Sequence, residues 1–139
     1  MPAFGWILIT ILIWGSVPIL EKVGLSGATA PAAGVFVRSC GVAVGAFLVG
    51  LVARPWPAMA QTPWRSVLLL AGGGFLASFV GQMTFYQALK AGEVSRVAPL
   101  VGAYPLVAAL LGWWLLREPL TATRVAGVML VVGGVLLLR

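Results

Sequence analysis

An all-α integral membrane protein of five transmembrane helices is the fold class this sequence predicts, and three observations predict it. Hydrophobic residues fill 61% of the 139 positions and mean hydropathy is +1.08, so the composition lacks the polar surface that water requires. The charges are nine Lys/Arg and three Glu, and nearly all stand where an apolar segment ends. Five such segments succeed one another across short polar or proline-rich stretches. At 14.5 kDa the chain makes one membrane domain, with no room for a soluble one beside it.

The first span, about Phe4–Leu20, closes at Glu21 and Lys22. It reads as a retained span rather than a cleaved leader, because it lacks a basic n-region and Glu21-Lys22 replaces a cleavage site. Thr10, Trp14, Pro18 and Lys22 recur every four residues along it. Pro18 withholds the backbone donor that the Trp14 carbonyl would accept, so the helix is expected to bend near Trp14. A Gly/Ser/Thr/Pro loop, Gly24–Pro31, leads to the second span, about Ala32–Ala53. The stretch from Arg54 to Arg65 holds Pro55, Pro57, Pro63, Trp56 and Trp64, a composition that stops helices and anchors chain at headgroup depth.

The third span, about Val67–Leu89, closes at Lys90 to Glu93. The fourth, about Val97–Leu116, is bounded by Arg96 and by Arg117-Glu118-Pro119; Pro105, following Tyr104 and the earlier Pro99, is expected to kink it. The fifth, about residues 120–138, is short and ends at Arg139.

Several function classes lose their chemistry here. Histidine and aspartate are absent and Cys40 is the single cysteine, so zinc clusters, Ser-His-Asp triads, paired aspartates and a disulfide framework have no residues to be built from. No metal, cofactor or catalytic residue is expected, and the chain is read as no enzyme. The net charge of +6 comes without a basic run, which argues against nucleic acid and for lipid headgroups.

An odd number of spans puts the two ends on opposite sides of the bilayer. One side then carries Arg54, Arg65, Arg117 and Arg124. The other carries Lys22, Lys90, Arg96 and Arg139, with Arg38 a short way inside the membrane from it. Orientation normally follows a Lys/Arg excess, and here the excess is almost nil. Either the protein inserts both ways and pairs as an antiparallel dimer, or a partner chain sets its orientation.

Inside the membrane, small and polar residues mark the contact faces. Gly41 and Gly45 form such a pair in the second span, and Gly127 and Gly134 mark one face of the fifth. In the third span Gly74, Ser78, Gln82, Tyr86 and Lys90 recur every four residues and so share one drifting face. That polar column suits a structural network or the wall of a substrate path. Arg38 admits three readings: snorkelling to the nearer membrane face, pairing with Glu21 or Glu93, or meeting an anionic group of a substrate. Glu21, Glu93 and Glu118 all fall at span ends, which weakens proton exchange through a deep carboxylate.

Taken in order, several short motifs carry a family resemblance. They are Trp14-Gly15 with Pro18 and Lys22; Arg38-Ser39; Tyr86 with Ala88-Leu89-Lys90-Ala91-Gly92; Ser95-Arg96-Val97-Ala98-Pro99-Leu100; Arg117-Glu118-Pro119-Leu120; and Gly127 to Gly133-Gly134. The chain resembles a single EamA-type unit of the drug/metabolite transporter superfamily, in its small five-span bacterial and archaeal branch. The resemblance implies a transporter half in the cytoplasmic membrane. Larger relatives fuse two such units in opposite orientation around a central cavity, so a lone unit pairs with itself or with a homologous unit of opposite orientation. It also departs from the four-span multidrug exporters of the superfamily, which use a carboxylate within the first helix where this chain has Thr10, Trp14 and Ser16.

The expectation is therefore an inverted homodimer that exports small metabolites or drug-like solutes by alternating access. Trp14, Ser78, Gln82, Tyr86 and Tyr104 line the path on this reading. Arg38 and Lys90 bias its charge near one face, and Pro18 and Pro105 supply the kinks. The competing reading is an accessory or assembly subunit of a larger membrane complex that transports nothing by itself.

Overall fold

A computed structural model describes residues 3–27 and 29–137. The expected closure of the last span at residue 138 and Arg139 lies outside the described residues. All regular structure among the described residues is helical: α1 (Ala3–Gly24), α2 (Pro31–Ala53), α3 (Trp56–Ala60), α4 (Trp64–Phe75), a π-helical segment (Leu76–Gly81), α5 (Gln82–Ala91), α6 (Val94–Val101), α7 (Tyr104–Leu116) and α8 (Ala122–Leu137). Among the described residues, four stretches are long and apolar enough to cross a bilayer: Phe4–Gly24, Pro31–Ala53, Trp64–Ala91 and Val94–Leu116. The fifth apolar helix, α8, has 16 residues. At 1.5 Å per residue it is about 24 Å long, short of a hydrocarbon core of about 30 Å.

The chain divides into two compact units, Met1–Lys90 and Ala91–Arg139. In the first, α1 continues through Pro18 to Gly24, one turn beyond the expected end at Leu20. Hydroxyls inside the helices return to their own backbone, as hydrocarbon requires: Thr10 donates to the Trp6 carbonyl (2.9 Å) and Ser16 to that of Ile13 (2.7 Å). Gly27, at φ +72°, makes the turn into the loop. Pro31 opens α2 at a position where a missing N–H costs nothing. Arg54 closes α2 in the left-handed region (φ 44°), and Pro55 prevents its continuation.

Beyond it, the proline- and tryptophan-rich stretch is not wholly irregular. Trp56 to Ala60 form a short helix, and the Trp56 ring lies over Gly50, where a Cβ would come within 3.0 Å of it. The apolar core of the described residues is small: Leu25, Val35, Tyr86 and Leu89, all in this unit.

The third long helix is not regular along the expected polar column, whose drift is larger than even spacing gives. Leu76–Gly81 is π-helical, so the face bearing Gly74 turns relative to the one bearing Gln82 and Tyr86. A four-residue repeat stays on one face only while the helix keeps 3.6 residues per turn. Two residues fit this insertion. A Cβ on Gly81 would press on the Leu76 carbonyl at 3.2 Å, and the Thr84 hydroxyl bonds the Gly81 carbonyl at 2.8 Å.

In the second unit the expected kink at Pro105 is a break between α6 and α7. Pro105 cannot donate to the Val101 carbonyl, and α6 ends at Val101. Gly102 fits the tight turn between them, since a Cβ there would stand 2.9 Å from the Pro99 carbonyl oxygen. Arg117, at φ 53°, ends α7 as Arg54 ends α2.

Candidate functional site

The polar side chains of the first unit converge on Glu21, in the last turn of α1. Gln82 and Tyr86 are four apart at the start of α5 and therefore share a face. The Gln82 amide donates to Glu21 Oε1 at 2.8 Å and the Tyr86 hydroxyl to the same oxygen at 3.0 Å. Arg38, two turns into α2, places its Nε 3.3 Å from that oxygen. Three helices thus meet at one carboxylate oxygen. Two lysine side chains join the same helices through backbone carbonyls: the Lys22 ammonium donates to the Leu89 carbonyl, and that of Lys90 to the Thr29 carbonyl at 2.7 Å.

Close approach of α2 makes this possible. A Cβ on Gly34 would fall 2.8 Å from Leu25 Cδ2 and 2.9 Å from the Tyr86 ring, so only glycine leaves the ring its place. The Glu21 side chain is 9% exposed and that of Arg38 30%. Removing two charges from water is costly, and the mutual attraction offsets that cost only with good geometry and further hydrogen bonds. Gln82 and Tyr86 supply those bonds on Oε1. Glu21 Oε2 and Arg38 Nη1, by contrast, are buried with no hydrogen-bond partner in the protein. The pair is neutral as a whole and leaves one acceptor and one donor unused.

Of the three readings of Arg38, the ion pair with Glu21 is the one the structure contains. Glu21 was one of the two carboxylates named from the sequence as partners for Arg38, and it lies in the last turn of α1, at the span end expected for it. What sequence reasoning missed is that Gln82 and Tyr86 converge on the same carboxylate oxygen, since residues more than 60 apart in the chain leave no local signal of their meeting.

The other expected path residues lie apart from this cluster. Trp14 is exposed on α1, Ser78 is half-buried within the π-helical segment, and Lys90 is exposed beside Thr29. Tyr104 is exposed at the first position of α7, with Pro105 next to it in the second unit. Added Cβ atoms on Gly41, Gly45, Gly127 or Gly134 would meet nothing within 4 Å. Those faces are open.

Comparison with known proteins agrees with the all-helical, apolar architecture. The model of the EamA-like transporter family matches residues 1–139, from one end of the chain to the other. The chain belongs to the EamA-like transporter family. A Sinorhizobium sp protein named as an uncharacterized transporter in the cobO 3′ region is 29% identical to this EamA-like chain over 133 residues, spanning 96% of the chain and 93% of that relative. No solved structure matches it. It is a multi-pass membrane protein of a transporter family, in which side chains of α1, α2 and α5 meet at Glu21.

Proposed function

We propose that this EamA-like protein exports small metabolites or drug-like solutes across a bacterial or archaeal cytoplasmic membrane as an antiparallel homodimer with five spans per subunit. The observation that carries this reading is the division of the basic residues. Arg38 is neutralised by Glu21 and drops out of the orientation signal. Arg54, Arg65, Arg117 and Arg124 on one side then balance Lys22, Lys90, Arg96 and Arg139 on the other. A chain with no orientation bias inserts both ways, and on this reading two inverted copies enclose the path between them. The open glycine faces and the exposed Trp14 and Tyr104 give such a copy something to meet.

In this reading the Glu21 cluster is the rigid corner of each subunit. Gln82 and Tyr86 border the path, and the broken α6–α7 helix and the π-helical segment are where the subunit flexes. No chemical step is involved; the two copies rock about a fixed site.

The test is transport by purified protein in proteoliposomes with a metabolite panel, comparing the wild type with Gln82→Ala and Tyr86→Phe. Flux in the wild type, reduced about tenfold by Gln82→Ala, is the expected result, a tenfold loss corresponding to one lost charge-assisted bond of about 1.4 kcal/mol. A folded protein with no flux across the panel favours the accessory-subunit reading. Flux unchanged by both substitutions removes this face from the path. Reporters fused after Arg139 should appear on both sides of the membrane, and one fixed orientation without an inverted partner would defeat the dimer.

A further inference from the structure

Two side-chain atoms of the Glu21 cluster are left unused by the fold. Glu21 Oε1 receives Gln82, Tyr86 and the Nε of Arg38, whereas Glu21 Oε2 and Arg38 Nη1 are buried with no hydrogen-bond partner in the protein. A charged group held out of water without its full set of hydrogen bonds is costly to keep. Each unused atom is two covalent bonds from one end of the 3.3 Å Nε–Oε1 contact, so both are within reach of one small molecule. Oε2 accepts and Nη1 donates.

The surrounding charge narrows what that molecule is. Glu21 is the only acidic residue in positions 1–90, against Lys22, Arg38, Arg54, Arg65 and Lys90. Lys22 follows Glu21 directly and Lys90 lies one turn beyond Tyr86, and their ammonium groups rest on the Leu89 and Thr29 carbonyls. At this end of the first unit three cations therefore accompany one carboxylate. Such an excess repels a cationic solute and attracts an anionic group.

We propose that the Glu21–Arg38 pair is the cargo-binding site, and that its cargo is a small carboxylate with a hydroxyl or ammonium beside the carboxyl group. The carboxylate of the solute accepts from Arg38 Nη1, and the neighbouring group donates to Glu21 Oε2. Arg38, 30% exposed on its side chain, turns outward to meet the solute, while Gln82 and Tyr86 hold Glu21 through Oε1. A guanidinium suits this double duty, since its fork aims separate N–H groups at separate oxygens, which an ammonium does not. The assignment rests on the transport reading, but binding is measurable without flux.

The test is isothermal titration of the full chain in phosphatidylcholine nanodiscs with five probes of similar size: lactate, alanine, propionate, lactamide and 1-amino-2-propanol. Lactate and alanine should bind. Propionate, which lacks the donor, should bind about fivefold more weakly than lactate, the worth of one net hydrogen bond. Lactamide and 1-amino-2-propanol lack the carboxylate and should bind weaker than lactate by about tenfold or more. Arg38→Lys keeps a cation beside Glu21 but removes Nη1, and should weaken lactate about tenfold. In Glu21→Gln the amide oxygen stays with Gln82 and Tyr86 and the amide nitrogen takes the Oε2 position. That variant should lose the preference for lactate over propionate and bind propionate more tightly, because Arg38 has lost its countercharge. If Arg38→Lys does not fold, Glu21→Gln carries the test alone. Arg65→Gln, exposed at the start of α4, should leave every affinity unchanged.

Equal affinity for lactate and lactamide overturns the proposal. So does lactate binding that survives Arg38→Lys, or a Glu21→Gln chain that still prefers lactate to propionate. Lactate binding with no flux of any solute in proteoliposomes keeps the site and defeats the transport reading. Flux of other solutes with no binding of lactate or alanine defeats the site and keeps the transport reading.

Discussion

In the first unit, side chains cross between helices: Arg38 from α2 and Gln82 and Tyr86 from α5 all reach Glu21 on α1. In the second, the Glu118–Arg124 pair and the Thr121 and Thr123 hydroxyls stay within one loop and the first turn of α8. The buried apolar side chains among the described residues, Leu25, Val35, Tyr86 and Leu89, all belong to the first unit, and the helices of the second are half-buried at most. Helices in lipid gain little from burying apolar surface against one another, so a polar knot or close backbone contact must hold them. The first unit has both. The second has neither among its described residues, and the Gly127 and Gly134 positions and the groove between α7 and α8 are open.

The largest blow to that contrast comes from Arg38→Ala, which leaves the Glu21 carboxylate buried without its countercharge. Loss of about 3 kcal/mol is expected, the low end of what breaking a buried pair costs, because Gln82 and Tyr86 still donate to Oε1. Denaturant unfolding of the purified protein measures it, and a change below about 1 kcal/mol would reduce the cluster to a surface pair. Gly34→Ala comes next. Its methyl group would displace Leu25 and the Tyr86 ring, and the cost of overpacking is about 1–3 kcal/mol.

Gly41→Ala, in open space on the same helix, should change the unfolding of the isolated chain by less than about 0.5 kcal/mol. If it instead disrupts assembly, that face meets another copy. The smallest effect belongs to Arg124→Gln in the second unit. Its pair with Glu118 is exposed, so stability should shift by no more than about 0.5 kcal/mol. A larger loss would mean that loop 117–121 does for the second unit what Glu21 does for the first.

Much of this was legible in the residues. The long apolar runs mark the spans, Arg54 and Arg117 mark their ends, and Pro105 marks the break in the fourth. Gln82 and Tyr86 are on one face by spacing alone. The π-helical segment was not legible, because a wider turn depends on one extra backbone residue being accommodated and leaves no periodic trace in an apolar stretch. That Glu21 gathers Gln82 and Tyr86 as well as Arg38 was not legible, because spacing along one helix does not say which neighbouring helix its polar face meets.

By itself, the sequence determined that this is a helical membrane protein, roughly where each helix starts and stops, and which residues are too polar to face lipid. These follow from local chemistry: hydropathy over a window, proline's missing donor, charge at a boundary. Which polar residues meet was decided only in three dimensions. Glu21 lies 17 residues from Arg38 and more than 60 from Gln82 and Tyr86 in the chain, and Gly34 is what lets α2 come close enough to join them. The low dielectric of the helix interior then gives that meeting its weight, since charges a few ångströms apart there cannot ignore one another.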